Sequence, residues 1–86
     1  MTRHPFILPA MELGDEPIKV TMWLAKQDQT VFRGDPIVEV AGGSVVVDLP
    51  CPHDGRLVEI LIGIDEPAQE GQTLAMIESD AEEYAS

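Results

Sequence analysis

The stretch that determines the fold is Ile37-Val38-Glu39-Val40-Ala41-Gly42-Gly43-Ser44-Val45-Val46-Val47-Asp48-Leu49, in which two apolar runs flank a glycine pair. The runs are rich in β-branched residues, which favour strands. Two adjacent glycines accept the positive φ angles that a tight two-residue hairpin turn requires. Glu39 and Asp48 fit solvent-facing positions on otherwise apolar strands. The stretch therefore predicts a β-hairpin that turns at Gly42-Gly43.

The rest of the chain repeats this pattern of short apolar segments between turn formers. No window of a dozen residues keeps one apolar helical face, whereas Gly, Asp and Pro recur at the spacing typical of small all-β proteins. The predicted strands are residues 6–8, 18–25, 37–41, 44–49, 55–61 and 73–77. The fold class indicated is all-β.

An internal repeat becomes visible when the chain is shifted along itself by 37 residues. Apolar, aspartate and glycine positions coincide: Val20 with Leu57, Trp23 with Ile60, Leu24 with Leu61, Asp28 with Asp65, Gly34 with Gly71, Ile37 with Leu74, and Val40 with Ile77. Two copies of one unit predict a flattened barrel of two small sheets related by a pseudo-two-fold axis. Trp23 is expected to pack between the two halves. The domain is assigned to residues 5–79, with an N-terminal tail over 1–4 and an acidic tail or linker over 80–86.

Charge and composition limit the classes of partner. Sixteen acidic residues against five basic ones give a net charge of −11, which repels nucleic-acid phosphates and anionic lipids. The acidic surface either faces a basic protein partner or serves only solubility. No apolar stretch is long enough for a membrane span, and the N-terminus lacks a signal-peptide pattern. We expect a cytoplasmic, monomeric domain, and Cys51, the single cysteine, excludes an intramolecular disulfide.

Three motifs together resemble the lipoyl domain of 2-oxo acid dehydrogenase acyltransferase subunits, a member of the lipoyl/biotinyl carrier family. They are Leu8-Pro9-Ala10-Met11, Gly34-Asp35-Pro36-Ile37-Val38-Glu39-Val40 and Pro52-His53-Asp54-Gly55-Arg56-Leu57. The resemblance covers residues 5–79 and implies the barrel-sandwich fold of that family, with two four-stranded sheets. It also implies that the tip of the central hairpin, Gly42, Gly43 and Ser44, is the functional end of the domain.

The resemblance breaks down at the attachment residue. Family members carry lipoate or biotin on a lysine at the hairpin tip, commonly within Glu-Thr-Asp-Lys-Ala, and Ser44 stands in its place here. The flanking acidic residues are also missing, and Lys19 and Lys26 map outside the tip. Ile18 and Lys19 also differ from the Gly-Thr often found in the family's first loop, which lies near the hairpin.

The resemblance therefore implies a non-catalytic structural or protein-interaction module without a cofactor, allied to the subunits of a 2-oxo acid dehydrogenase complex or to a biotin-dependent system. One alternative is a genuine swinging-arm domain of a dihydrolipoamide acyltransferase, which would carry lipoate on a residue not recognised in the sequence. Another is a stand-alone acidic binding protein that shares only the fold.

Other candidate chemistry is weak. Cys51 and His53 could suggest a metal site, but zinc usually takes four ligands and the remaining histidine, His4, is placed in the tail. Cys51 has no basic neighbour that would lower its pKa, so we expect an ordinary buried cysteine. No nucleophile-base set stands out, and neither a catalytic residue nor a metal is predicted.

Overall fold

The computed structural model describes residues 1–12 and 16–79, which form eight β-strands. The strands are β1 (Thr2–Ile7), β2 (Ile18–Trp23), β3 (Thr30–Val31), β4 (Pro36–Gly42), β5 (Val45–Pro50), β6 (Gly55–Ile60), β7 (Pro67–Ala68) and β8 (Thr73–Ser79). The tail or linker predicted for residues 80–86 lies outside the described residues.

The strands form two four-stranded antiparallel sheets. One sheet has the order β1-β8-β6-β3 and the other has the order β5-β4-β2-β7. The two sheets interleave strands from both halves of the chain, because β2 pairs with both β4 and β7, and β6 pairs with both β8 and β3. The predicted all-β barrel-sandwich is confirmed.

The internal duplication is also present in the backbone. The amide of Asp28 in the first half donates to the carbonyl of Leu57 in the second, and the amide of Asp65 in the second half donates to the carbonyl of Val20 in the first. Both aspartates have positive φ angles, 74° and 69°. The shift of 37 residues thus relates β2 to β6, β3 to β7 and β4 to β8. β1 and β5 are instead related by 43 residues, because the loop before β2 spans 8–17 while the loop before β6 spans only 51–54.

Both sheets contribute to one aliphatic core. Its buried apolar residues are Phe6, Leu8, Ile18, Val20, Ala25, Val31, Ile37, Val38, Val40, Leu49, Cys51, Leu57, Ala68, Leu74, Ala75 and Ile77. Trp23, from the first half, packs against the core, and its indole Nε1 donates a 2.8 Å hydrogen bond to the carbonyl of Ile62 in the second half. The predicted role of Trp23 between the halves is confirmed.

The strand prediction misses the start of β1 and the whole of β3 and β7. Residues 1–4 are not simply a tail, since β1 begins at Thr2 and its pairing with β8 includes Arg3 and His4. β1 is an edge strand, so its mostly exposed polar residues give no apolar alternation, and Pro5 is a residue that argues against a strand. The two-residue strands β3 and β7 were not predicted, because two residues cannot establish a period of two.

Candidate functional site: the hairpin tip

The hairpin between β4 and β5 turns one residue later than predicted. Gly42 pairs with Val45, so the two turn residues are Gly43 and Ser44 rather than Gly42 and Gly43. Gly43 has a φ of 60°, and Ser44 does not have a positive φ. This is the pattern of a type II′ turn, which needs glycine only at its first central position. Gly42 is free to act as the last residue of β4, and Ser44 is exposed at the turn.

The loop between β1 and β2 contacts the tip through Glu16. A Cβ atom built on Gly43 would lie 3.2 Å from both Cδ and Oε2 of the Glu16 side chain. The carboxylate therefore occupies space that a side chain at position 43 would need. Ile18 and Lys19, which were predicted to begin a strand at residue 18, are the first two residues of β2 and pair with Gly42 and Ala41.

The two lysines lie away from the turn. Lys19 is on β2, across from Ala41, and its Nζ is 3.9 Å from Oδ1 of Asp65. Lys26 is exposed in the turn after β2, where its backbone amide donates to the side chain of Gln29. Neither lysine belongs to the hairpin turn, as the sequence predicted.

A shallow groove of about 360 Å³ lies beside the tip. It is lined by Pro17, Ile18, Lys19, Ala41, Gly43, Asp65 and Pro67. Neither Glu16 nor Asp65 was predicted to lie near the tip. The repeat contained a signal for Asp65, because it matches Asp28 and so predicts a shared turn, but nothing in the sequence indicated that Glu16 contacts Gly43.

Cys51 and His53 follow the end of β5 that lies away from the hairpin tip, in the turn before β6. The Cys51 side chain is buried, as predicted, and its Sγ donates to the carbonyl of His53 at 3.0 Å. The rings of His53 and His4 stack with centroids 3.8 Å apart, and His4 lies in β1 rather than in the predicted tail. Among residues 1–12 and 16–79, no group of three or more His, Cys, Asp or Glu side chains could hold a metal ion.

Burial raises the pKa of the Cys51 thiol, and the charges of Asp35 and Asp54 raise it further. In the unfolded chain the thiol ionises near pH 8.5. Above that pH the unfolded chain loses the proton first, whereas the folded chain keeps it up to its higher pKa. The contribution of Cys51 to the free energy of unfolding is therefore complete below about pH 8.5. Between the two pKa values it should decrease by up to about 1.4 kcal/mol per pH unit. Urea denaturation at pH 7.5 and 9.5 should therefore show a larger loss for the wild type than for Cys51→Ala. Equal losses in the two proteins would contradict this prediction.

The fold and the hairpin tip together define a lipoyl/biotinyl-type domain: two interleaved sheets, an internal two-fold repeat and a protruding β4–β5 turn. The sequence model of the family described as "Biotin-requiring enzyme" matches residues 5–77. The chain belongs to this biotin/lipoyl family.

Three relatives are named as components of pyruvate dehydrogenase or of its complex. A dihydrolipoyllysine-residue acetyltransferase component from Corynebacterium glutamicum is 34% identical over 68 residues, covering 77% of this chain and 10% of that protein. The corresponding component from Staphylococcus epidermidis is 30% identical over 79 residues, covering 91% and 18%. The mitochondrial protein X component from Mus musculus is 30% identical over 83 residues, covering 93% and 15%. The chain thus spans less than a fifth of each relative. No helix in the described part of the chain is long and apolar enough to cross a membrane.

Proposed function

We propose that the chain is a lipoyl-type module that carries neither lipoate nor biotin, because Ser44 occupies the attachment position at the hairpin tip. The observation that supports this is the place of Ser44 as the second residue of the exposed β4–β5 turn. An attachment lysine offers an amine on a flexible four-carbon stem. A serine hydroxyl is short, needs a neighbouring base to become a nucleophile, and would form an ester that hydrolyses more readily than an amide.

The remaining residues do not fit a covalently attached arm. Lys19 is half-exposed on β2 beside Asp65, and its backbone is fixed by pairing with Ala41 and Pro67 on both sides. A lysine held in the middle of three strands cannot enter a ligase active site as a hairpin turn can. Lys26 follows β2 in a tight turn and is also unlike a hairpin tip. We therefore derive no acyl-transfer step for this chain.

The role that remains is a non-catalytic, protein-interaction one. The relatives are components of pyruvate dehydrogenase complexes. By extension, we assign the chain a place beside subunits of a 2-oxo acid dehydrogenase complex. The net charge of −11 favours a partner with a basic face. The acetyltransferase activity named for two of the relatives is not extended to the chain, since it aligns with so little of their length.

The test is an intact-mass spectrum after co-expression with a lipoate ligase and a biotin ligase, with both cofactors supplied. A lysine-bearing lipoyl domain expressed in the same cells serves as the positive control. We expect the control to gain a lipoyl group and this chain to keep its unmodified mass. A lipoyl or biotinyl increment on the chain would overturn the proposal, and Lys19→Arg and Lys26→Arg variants would then identify the modified residue and restore the swinging-arm alternative.

A further inference from the structure

The two sheets each have one long edge strand, and these two strands are pseudo-equivalent. β1 ends the first sheet, and β5 ends the second. The shift of 43 residues superposes Thr2 to Ile7 on Val45 to Pro50, and the strand registers agree: Arg3 pairs with Glu78 as Val46 pairs with Ala41. The same structural position thus occurs twice, with two different sets of side chains.

The outer edge of β5 presents unpaired backbone groups at Val46 and Asp48. In a two-residue hairpin the residues flanking the turn, Gly42 and Val45, form a hydrogen-bonded pair, and the pairs alternate from there. The amide and carbonyl groups of Val46 and Asp48 consequently point away from β4. Within residues 1–12 and 16–79, the only backbone hydrogen bonds of β5 are those to β4.

The residues of β1 block its outer edge against pairing with a further strand, whereas those of β5 leave its outer edge available. Pro5 occupies the position equivalent to Asp48, so the outward amide is absent from β1. Arg3 occupies the position equivalent to Val46 and pairs with Glu78 at 3.4 Å. Proline and charged residues are the usual means of blocking an edge strand against pairing with another chain. β5 has a proline only at its last residue, Pro50, so the outward amides of Val46 and Asp48 remain in place. It also has three successive valines, of which Val45 and Val46 are 43% and 60% exposed.

The charges beside this edge determine what can pair with it. Asp48 lies directly across from Glu39 on the outer face of the sheet, and two carboxylates at such a position repel each other. Glu39 accepts a 2.8 Å hydrogen bond from the Thr21 hydroxyl. Within the described part of the chain, no cationic side chain pairs with either carboxylate. A second copy of the chain would bring a further net charge of −11 to the same edge, which disfavours self-association.

We propose that β5 is a strand-addition site for an extended, cationic segment of a partner protein. Backbone hydrogen bonds to Val46 and Asp48 supply the pairing. Alternate basic residues of the segment face Asp48 and Glu39 while the intervening apolar residues pack beside Val45 and Val47. The site rests on the proposed interaction function and adds to it the chemistry of the partner and the element of the fold that receives it.

The test uses a heptapeptide of alternating lysine and valine with blocked ends, and the ¹⁵N-labelled full chain. The readout is the hydrogen exchange of the Val46 and Asp48 amides, because diffuse attraction between opposite charges would leave their exchange rates unchanged. At saturating peptide we expect at least a tenfold slowing at both amides and no slowing at Arg3 on β1. A peptide of alternating glutamate and valine should give no slowing.

Two substitutions at one residue separate the backbone from the charge. Asp48→Asn keeps the amide and should weaken binding severalfold while the slowing at Val46 and Asp48 persists. Asp48→Pro also removes the amide and should weaken binding at least tenfold more than Asp48→Asn. Its fold is expected to persist, since Pro5 occupies the equivalent position in β1, and the spectrum of the variant checks this. If Asp48→Pro fails to fold, the exchange comparison between wild type and Asp48→Asn still decides.

Three results would overturn the proposal. The first is peptide binding without slowed exchange at β5, and the second is slowed exchange at β5 without peptide in a chain whose measured mass is that of a dimer. The third is absence of peptide binding. The first would indicate diffuse charge attraction, and the second would indicate a second copy as the occupant. None of these results bears on the unmodified mass of the chain. Conversely, a lipoyl increment would leave the exchange data unaffected, so the two proposals fail separately.

Discussion

The variant Gly43→Asp/Ser44→Lys should acquire a lipoyl group from a lipoate ligase, whereas the wild type should acquire none. The substitution pair places an ε-amine at the second position of the exposed turn and an acidic residue before it, which is the order found in the carrier family that the chain resembles. Ser44 is exposed, so the lysine side chain extends into solvent without displacing the core. The measurement is the modified fraction by intact mass over a time course.

The single variant Ser44→Lys provides the matched control for the acidic neighbour. It should fold as the wild type does and be lipoylated at least about tenfold more slowly than the double variant, because the flanking acidic residues are missing. Equal rates would show that the ligase does not require the acidic flank. Absence of modification in both variants would show that the tip differs from a carrier in more than these two residues.

The double variant has a structural cost that can be estimated. Gly43 has a φ of 60° at the first central position of a type II′ turn, where a residue with a Cβ costs about 1–3 kcal/mol. The Glu16 side chain must also move, but it is exposed and its contact is made by the flexible carboxylate end. Thermal denaturation of the double variant should therefore show a modest loss of stability with an intact fold.

Much of the fold was predictable because the chain encodes it twice. When two segments of the sequence match, each one supports the prediction made for the other. Asp28 and Asp65 match in sequence and both adopt a positive φ, and Trp23 and Ile60 match and both pack against the core. A single segment carries less information, and the polar edge strand β1 was consequently missed over its first residues. The extra length of the loop over 8–17 also hid the relation between β1 and β5, since it changes the shift from 37 to 43.

The site was predictable in outline but not in its contacts. The apolar runs located the hairpin, and the family resemblance drew attention to Ser44. The turn was misplaced by one residue, because two adjacent glycines satisfy the same sequence pattern while only Gly43 has the positive φ. The approach of Glu16 to the tip arises from a loop distant in sequence, and no periodicity reports such a contact. The same limit applies to the open edge of β5, which depends on which strands become neighbours.

Gly55→Ala should destabilise the chain by about 3 kcal/mol or more, at the upper end of the usual cost of overpacking. A Cβ on Gly55 would lie 2.2 Å from the backbone carbonyl oxygen of Glu78 and 3.3 Å from Cγ2 of Ile77. The first contact is with the backbone of the central strand β8, which cannot rotate away as a side chain can. Relief requires β6 and β8 to separate where Arg56 pairs with Glu78.

The repeat itself would not predict this effect, because the position equivalent to Gly55 is Ile18, whose side chain is accommodated and buried. Matched controls are Gly34→Ala and Gly71→Ala. These glycines have φ angles of 92° and 87°, but a Cβ on either would meet no atom within 4 Å. Each control should lower the free energy of unfolding by only the conformational cost of about 1–2 kcal/mol. The two decreases should be equal because the positions are related by the repeat. Urea denaturation measures all three, and a loss for Gly55→Ala no larger than that for Gly34→Ala would show that β6 and β8 can move apart at little cost.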